Sequence, residues 1–209
     1  VSGNVSFYNE TQNKPISPTP TIGGVGLIRD LNFMMTKKLK EIGSYIFVIG
    51  KTSGHLDQSE FFREVMKIYE GPSPEINLFN EKNNGSSIQT LISKKLVNSV
   101  HDISSGGILV TLVEMCISGK IGAKINIPQN NINPHEYLFG EDQSRYIIEV
   151  KEKNIKELIK ILKENGIYFE KIGTTQNKNL EVDKEFKINL NELNLLSNYW
   201  FKNYFKENL

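Results

Sequence analysis

The sequence HDISSGGILVTLVEMCISGKIGAKINI, residues 101–127, decides the class of fold because it contains one full succession of elements. A polar, glycine-containing loop at 101–106 leads into an apolar helical pattern at 107–118, and an alternating pattern follows at 123–127. Apolar residues spaced three and four positions apart predict a helix, whereas alternation predicts a half-buried strand. The stretch therefore predicts a loop, a helix and a strand in that order.

The same kinds of element recur on both sides of this stretch. Strands are predicted at 22–29, 44–50 and 146–150, with two or three short ones between 168 and 190, and helices at 58–69, 86–100, 154–164 and 193–205. Strands that alternate with helices, some of them in hairpin-like pairs, indicate an α+β fold. We expect an α/β sandwich with a mixed sheet flanked by helices.

Composition excludes several classes of function. The 25 basic and 24 acidic residues nearly cancel, which argues against a nucleic-acid partner. No apolar run approaches the roughly 20 residues that would span a bilayer, so we expect no membrane association. Cys116 is the single cysteine and lies on the apolar pattern of a predicted helix, which suits a reducing compartment. We expect a soluble, cytoplasmic protein.

The chain begins without Met, and prolines at positions 15, 18 and 20 mark a linker over residues 9–21. Proline fixes φ, removes a backbone donor and biases its predecessor to extended geometry. We place a domain boundary here, with residues 1–14 as the end of a preceding domain and 15–209 as the second domain.

The opening residues VSGNVSFYNE, 1–10, alternate between apolar and polar positions, as in a half-buried strand. Gly3 would let a phosphate or a base approach the backbone, and Asn4 offers a carbonyl oxygen suited to Mg²⁺. Ser2 and Ser6 add hydrogen-bonding groups for a ligand. An edge strand that runs into a loop is the alternative interpretation.

The loop at 101–107 is a candidate anion site. His101, Ser104, Ser105, Gly106 and Gly107 precede a predicted helix, whose first N–H groups attract anions. The alternative is an ordinary helix start, with Ser104 or Ser105 as the N-cap and His101 hydrogen-bonded in the interior.

A second polar group of residues lies in LFGEDQSRY at 138–146. If this segment is extended, Glu141 and Gln143 project to the same side and could together bind a ligand. The alternative is structural, with Arg145 paired to Glu141 or Asp142.

Two familiar motifs are rejected. The Gly-Lys-Thr at residues 50–52 lacks the earlier glycine of a P-loop, since Tyr45 stands at that position. The three histidines have no zinc-ligand spacing, so a zinc site is not predicted.

Several blocks recur here in the order and spacing of a known family. They are GNVSFYNE at 3–10, PTP at 18–20, IG at 22–23, VGLI at 25–28, Asp30, HDISSGG at 101–107 and LFGEDQSRY at 138–146. Together they resemble the C-terminal part of the phosphoribosylformylglycinamidine synthase family (formylglycinamide ribonucleotide amidotransferase), within the aminoimidazole ribonucleotide synthetase superfamily.

The resemblance implies a fold like the C-terminal domain of aminoimidazole ribonucleotide synthetase, with residues 1–14 closing a nucleotide-binding domain. It implies a purine-biosynthesis ligase that converts formylglycinamide ribonucleotide, ATP and glutamine-derived ammonia to formylglycinamidine ribonucleotide, ADP and phosphate. ATP and Mg²⁺ are the implied cofactors. The implied partners are a glutaminase subunit, a small accessory subunit and the N-terminal half of the same enzyme.

The resemblance also implies residue roles. Gly3 would line the nucleotide, Asn4 would ligate Mg²⁺ and Ser6 would bind the ribonucleotide substrate. The groups at 101–107 and 138–146 would form a degenerate counterpart of the site in the other half of the enzyme. No catalytic residue is implied for this chain, and we expect the chain alone to lack synthetase activity.

The sequence departs from the family pattern at two places. Ser105 stands where the family has Asp, which weakens a metal role for that loop. Residues 57–59 read Asp-Gln-Ser where the family has Gly-Gly-Ser, which weakens a ligand role for the loop at 51–60.

Two other functions remain open at this point. The chain could be the end domain of a related kinase or synthetase, such as selenophosphate synthetase, thiamine-monophosphate kinase or the hydrogenase-maturation dehydratase. It could also be a non-catalytic interaction domain, which its near-neutral charge would suit.

Overall fold

The computed structural model describes residues 10–15, 22–28, 30–128 and 132–207. The chain divides into two compact units, Val1–Leu31 and Asn32–Leu209. The domain boundary between residues 14 and 15 stays a prediction.

The first unit contains a small hairpin. β1 (Glu10–Thr11) pairs antiparallel with β2 (Lys14–Pro15). The two residues between the strands, Gln12 and Asn13, have φ values of 53° and 58°. Positive φ at both central positions is typical of the two-residue turn that matches the twist of paired strands.

Residues 22–28 differ from the prediction. They have no regular secondary structure, and the side chains of Ile22, Val25 and Leu27 are almost fully exposed. A strand needs a hydrogen-bonded neighbour, and none of the described strands pairs with this segment. The predicted strand at 22–29 is therefore wrong over residues 22–28.

The second unit is built on a seven-stranded mixed sheet. Its strands are β3 (Tyr45–Ile49), β4 (Ser99–Asp102), β5 (Gly122–Ile125), β6 (Tyr146–Val150), β7 (Phe169–Gln176), β8 (Asn179–Val182) and β9 (Phe186–Asn189). Their order across the sheet is β4-β6-β3-β7-β5-β8-β9. β5 and β8 are parallel, and the other neighbouring pairs are antiparallel. The predicted mixed sheet is confirmed.

Helices cover both faces of this sheet. They are α1 (Leu78–Ser93), α2 (Gly107–Gly119), α3 (Pro134–Phe139), α4 (Ile155–Glu164) and α5 (Leu190–Glu207). Successive residues of a strand face opposite sides, so β3 contributes to two buried clusters. Ile46 and Val48 pack with Leu112 and Met115 of α2 on one side, and Phe47 and Ile49 pack with Leu91 of α1 and Leu158 of α4 on the other. The result is the predicted sandwich, with the sheet between two helical layers.

Two predicted helices have different bounds in the structure. The helix predicted at 58–69 is a short π-helical segment, Phe61–Met66. The helix predicted at 86–100 is α1, which begins after Asn77, whose side chain accepts a hydrogen bond from the backbone N–H of Asn80 at 3.0 Å. Lys95, just beyond α1, has a φ of 56°, and this left-handed residue ends the helical run. The last part of the predicted helix is β4.

Candidate functional site

Gly3, Asn4 and Ser6, for which the family resemblance implies nucleotide, metal and substrate roles, lie outside the described residues. Their roles stay predictions. The other candidate groups, at 101–107 and 138–146, lie in the second unit and are fully described.

α2 starts after a glycine rather than after a capping serine. Gly106 is the N-cap with a φ of 81°, and no side-chain hydrogen bond caps the described start of this helix. Ser104 and Ser105 are exposed, and the Ser104 carbonyl accepts the backbone N–H of Gly107 at 3.0 Å. An N-cap formed by either serine hydroxyl is therefore wrong.

A carboxylate of the chain itself lies at the start of α2. Glu141 Oε1 accepts the backbone N–H of Gly106 at 2.7 Å and that of Glu60 at 2.8 Å. Negative charge is stabilising at a helix N-terminus, where backbone donors are unpaired. An external anion at this loop would have to compete with Glu141.

Asp142 holds the neighbouring loop in the same way. Its carboxylate accepts the backbone N–H groups of Ser53 and Gly54, both at 3.0 Å, and that of His55 at 3.2 Å. Charge-assisted bonds of this kind are stronger than neutral ones. The loop at 51–60 is thus fixed at both ends by adjacent carboxylates.

Arg145 is buried beneath this loop. Its guanidinium donates to Thr52 Oγ1 at 3.1 Å, to the Gly140 carbonyl at 2.6 Å and to the Asp142 carbonyl at 3.1 Å. Asp142 Oδ2 lies 3.7 Å from Arg145 Nη1, so Asp142 is the ion-pair partner. Burial lowers the pKa of Arg145, and the charge of Asp142 opposes that shift.

Gln58 shows how the loop accommodates its departure from the family pattern. It stands where the family has the second glycine and adopts a φ of 61°. Its side-chain amide donates to the carbonyls of Tyr69 at 3.1 Å and Gly71 at 3.0 Å. These bonds stabilise a backbone conformation that glycine adopts without a steric cost.

Gln143 lies in a different place from Glu141. It lines a polar cavity of about 430 Å³, formed by residues from the segments 51–55, 74–84 and 142–144. Four amide side chains line it, those of Asn77, Asn80, Asn84 and Gln143, so we call it the amide cavity. Because Glu141 bonds to Gly106 and Glu60, the structure does not bring Glu141 and Gln143 together on one ligand.

His101 belongs to a cluster of polar side chains between β4 and α2. Its Nε2 lies 2.8 Å from Glu114 Oε2, and its Nδ1 lies 3.1 Å from Asp102 Oδ1. Lys37 also contacts Glu114, at 2.6 Å. The hydrogen bonds from His101 and then Lys37 hold the pKa of Glu114 below its ordinary value. His101 is therefore hydrogen-bonded within the chain, as the structural alternative predicts, but it is half-buried and its partners are carboxylates.

The amide cavity is a feature that the sequence does not reveal. Lys51 stands out in the sequence only within the rejected Gly-Lys-Thr motif, and Asn84 belongs to no ligand-binding motif. The sequence offers one weak indication of this cavity, the two asparagines Asn77 and Asn80, three residues apart at a helix start. The three lining segments are far apart in sequence, so their meeting depends on the fold.

Two properties of the described residues concern metal binding and membrane spanning. Across the described ranges, His, Cys, Asp and Glu form no group of three or more that could hold a metal ion. The Mg²⁺ role of Asn4 stays a prediction. Among the helices that the structure describes, none is long and apolar enough to cross a membrane.

Comparison with known families decides the classification. Residues 41–184 match the family model "AIR synthase related protein, C-terminal domain". The chain belongs to this family. The match covers the strands β3 to β8 and the start of the β8–β9 turn, together with α1 to α4.

Two curated relatives of this chain have the same name. The chain is 50% identical over 204 residues to phosphoribosylformylglycinamidine synthase subunit PurL of Pelagibacter ubique, and 40% identical to the subunit of the same name from Rhodopseudomonas palustris strain BisB5. Each alignment covers 98% of this chain and 28% of the relative. The chain thus spans little more than a quarter of these relatives' length.

Solved structures agree with the family at the level of the fold. The structure "T. maritima PurL complexed with FGAR" superposes with a TM-score of 0.66 at 17% identity, covering 78% of this chain and 29% of that one. A HypE–HypF complex gives a TM-score of 0.52 at 15% identity, covering 74% of this chain and 54% of that one. At these identities the likeness shows a shared fold.

Proposed function

We propose that this chain is the C-terminal part of the synthetase subunit of phosphoribosylformylglycinamidine synthase. The observation that supports the proposal most strongly is the 50% identity to the Pelagibacter relative across almost the whole chain. The end domain of a different kinase or synthetase of the superfamily is less well supported, because those structures resemble the chain in fold alone.

In this proposal the full-length protein is an ATP-dependent carbon–nitrogen ligase of purine biosynthesis in the cytoplasm. It converts formylglycinamide ribonucleotide and ammonia to formylglycinamidine ribonucleotide, with ATP hydrolysed to ADP and phosphate. The ammonia comes from a glutaminase subunit that assembles with a small accessory subunit. Solved structures described as a PurLQS assembly and as PurL complexes with ATP and FGAR, all from T. maritima, support these partners.

The residues of this chain divide into two groups under the proposal. Gly3, Asn4 and Ser6, in the end of the preceding domain at 1–14, contact nucleotide, Mg²⁺ and substrate respectively. The second unit supplies a support, in which Glu141 and Asp142 hold the loop 51–60 and Glu141 also holds the start of α2. The catalytic residues belong to the remaining length that the relatives possess, so the 209-residue chain alone has no turnover.

The test is made on the full-length protein, with ammonia as the nitrogen donor. Asn4→Ala removes an oxygen ligand, so the Mg²⁺ concentration for half-maximal rate should rise by about tenfold or more. Asn4→Asp keeps an oxygen at that position and should retain Mg²⁺ dependence closer to the parent protein. ADP release measured against Mg²⁺ concentration gives both values.

Asn191→Ala is the matched control, because Asn191 is an exposed asparagine of α5. It should leave the Mg²⁺ dependence unchanged. Unchanged Mg²⁺ dependence in both Asn4 variants would remove the metal role. Turnover by the 209-residue chain alone, or no turnover by the full-length protein, would contradict the proposed function itself.

A further inference from the structure

The two halves of α5 have different surroundings. At its start, Leu190 is buried in the core cluster between the sheet and α2, and Leu193 packs against that cluster. From residue 195 onwards, five large apolar side chains are between 44% and 65% exposed, those of Leu195, Leu196, Tyr199, Phe201 and Phe205. Neither buried cluster of the described chain includes any of these five. We call residues 195–207 the distal half of α5.

The exposed side chains of the distal half lie on opposite sides of the helix. Leu195 and Tyr199 are four positions apart and share one side. Phe201 and Phe205 share another, and their ring centroids are 4.6 Å apart. Tyr199 and Phe201 are two positions apart, which places them about 200° apart around the helix axis. A helix that is apolar on all sides is typical of the interior of a large protein. A partner of the distal half therefore has to enclose it rather than contact one side.

α5 lies outside the domain that the wider family shares. The family match ends at residue 184, before β9 and α5 begin. The alignments with the two curated relatives cover 98% of this chain, so they include most of α5. Those relatives are also much longer, because the alignments cover only 28% of each. α5 is thus found in proteins that have a large further body of polypeptide.

A body in the same polypeptide has an advantage over any separate partner. Two surfaces joined by a chain meet at an effective concentration in the millimolar range. A second copy or another subunit has to compete with that value from free solution. Cover from within the same subunit is therefore favoured, and it can also surround the helix on several sides.

From these observations we infer that the preceding part of the full-length subunit encloses the distal half of α5 in a groove lined by apolar side chains. The inference rests on the proposed function for one point, that the full-length protein has such a preceding part. It adds an interaction surface on α5, whereas the proposed function assigns roles to Gly3, Asn4 and Ser6.

The test is hydrogen exchange measured by mass spectrometry on the 209-residue chain and on the full-length protein. Peptides from residues 195–207 should exchange at least about tenfold more slowly in the full-length protein, because apolar side chains are buried there. Peptides from α4 are the internal comparison. Leu158 and Leu162 of α4 are already buried in the chain, so the change in α4 should be smaller.

Tyr199→Ser tests whether the exposed side chains carry the contact. In the 209-residue chain it should leave exchange of residues 195–207 unchanged, because Tyr199 is exposed and the two residues have similar helix propensities. In the full-length protein it should speed that exchange by about tenfold, because a buried aromatic ring is lost. Tyr69→Ser is the matched control, since Tyr69 is 63% exposed and lies outside α5. It should leave exchange of residues 195–207 unchanged in both proteins.

Four results would overturn the inference. Exchange of residues 195–207 could be equal in the two proteins, or α4 could be slowed as much as α5, which would indicate general stabilisation. Protection that is lost on dilution would indicate a second copy as the partner. Protection that appears only after other subunits are added would indicate a separate subunit. Turnover by the full-length protein is measured independently of exchange, so the failure of this inference and that of the proposed function can be told apart.

Discussion

At the scale of single residues, one contact recurs in the second unit: a carboxylate that accepts backbone N–H groups. Glu141 and Asp142 act this way beside α2 and at the loop 51–60, and Glu149 does so in β6. Glu149 is fully buried and accepts the backbone N–H groups of Lys40 and Glu41, both at 2.9 Å. Ser99 donates to the same carboxylate at 3.1 Å. A buried carboxylate is stable only with such donors.

The substitution Glu149→Gln tests this role. The amide keeps the size of the side chain, but Lys40 and Glu41 donate to different oxygens, so the NH₂ group of glutamine would face one of these two backbone donors. We expect a loss of about 2 to 3 kcal/mol in the free energy of unfolding. Urea denaturation measures it, as a lower midpoint with an unchanged slope.

Glu152→Gln is the control for this change. Glu152 is exposed and its side chain has no described hydrogen bond or ion pair, so its replacement should alter stability by less than about 0.5 kcal/mol. If Glu149→Gln were as mild as Glu152→Gln, the backbone bonds of Glu149 would not contribute to stability.

The sequence predicts some of these residue contacts and misses others. The sequence predicts that Arg145 pairs with Glu141 or Asp142, which lie close to it in one segment, and the partner in the structure is Asp142. The role of Glu149 is not, because its donors come from residues 40, 41 and 99, and only the fold brings those segments together. Contacts between residues close in sequence can be predicted from their spacing. The hydrogen bonds of Glu149 cannot, because its donors lie in distant segments of the chain.

At the scale of elements, the contact between α2 and α3 depends on Gly107. A Cβ at this position would lie 2.7 Å from the carbonyl carbon of Phe139 and 2.8 Å from the carbonyl oxygens of Leu138 and Gly140. Gly107 also has a φ of 67°, which side chains rarely adopt. Both the approach of the two helices and the local backbone therefore require glycine.

Gly107→Ala should destabilise the protein by about 3 kcal/mol, from the sum of left-handed strain and overpacking. Gly166→Ala is the matched control, because Gly166 has a φ of 65° but no atom within 4 Å of the position that a Cβ would occupy. That change should cost about 1 kcal/mol, from backbone strain alone. Thermal unfolding of the two variants compares them, and equal losses would show that the α2–α3 contact does not depend on glycine.

The apolar period predicts some elements well, but it fails where positive φ values interrupt a helix. α2 and α4 agree closely with the helices predicted at 107–118 and 154–164. The segment 58–69 has a helical period, yet Gln58 and Lys67 both adopt positive φ and restrict the helical part to Phe61–Met66. The apolar period does not predict which residues other than glycine adopt a positive φ.

At the scale of the whole molecule, stability should differ strongly between regions of the second unit. β3 lies between β6 and β7 and is buried on both faces. In α5, by contrast, Leu195, Leu196, Tyr199 and Phe201 are each at least 60% exposed. Regions with few buried contacts open at lower free energy than the core of a sheet.

Amide hydrogen exchange measured by NMR tests this expectation. The amides of β3 should exchange only through global unfolding, and those of α5 beyond Leu195 should exchange faster than the amides of α4. Equal protection of α4 and of this part of α5 would contradict it, because α4 has Leu158 and Leu162 buried against the sheet.

The sequence predicts the fold class but not the strand order. Alternation of strands and helices is visible in a single sequence, and the family resemblance supports the same class. The order β4-β6-β3-β7-β5-β8-β9 requires β3 to pair with strands roughly 100 to 130 residues further along the chain. No local pattern specifies pairings over such separations. The residues for which nucleotide and metal roles are predicted, Gly3 and Asn4, lie outside the described ranges.

The carboxylates of Glu141 and Asp142 hold the loop 51–60 through its main-chain amides, which every residue except proline possesses. These bonds do not depend on the identity of the loop side chains, and they are present together with the bonds that the Gln58 side chain makes in its left-handed conformation. Mutational drift can alter what this loop presents to its surroundings while its path is kept. Loss of either acidic side chain, in contrast, would remove its bonds to the loop whatever the sequence of the loop had become.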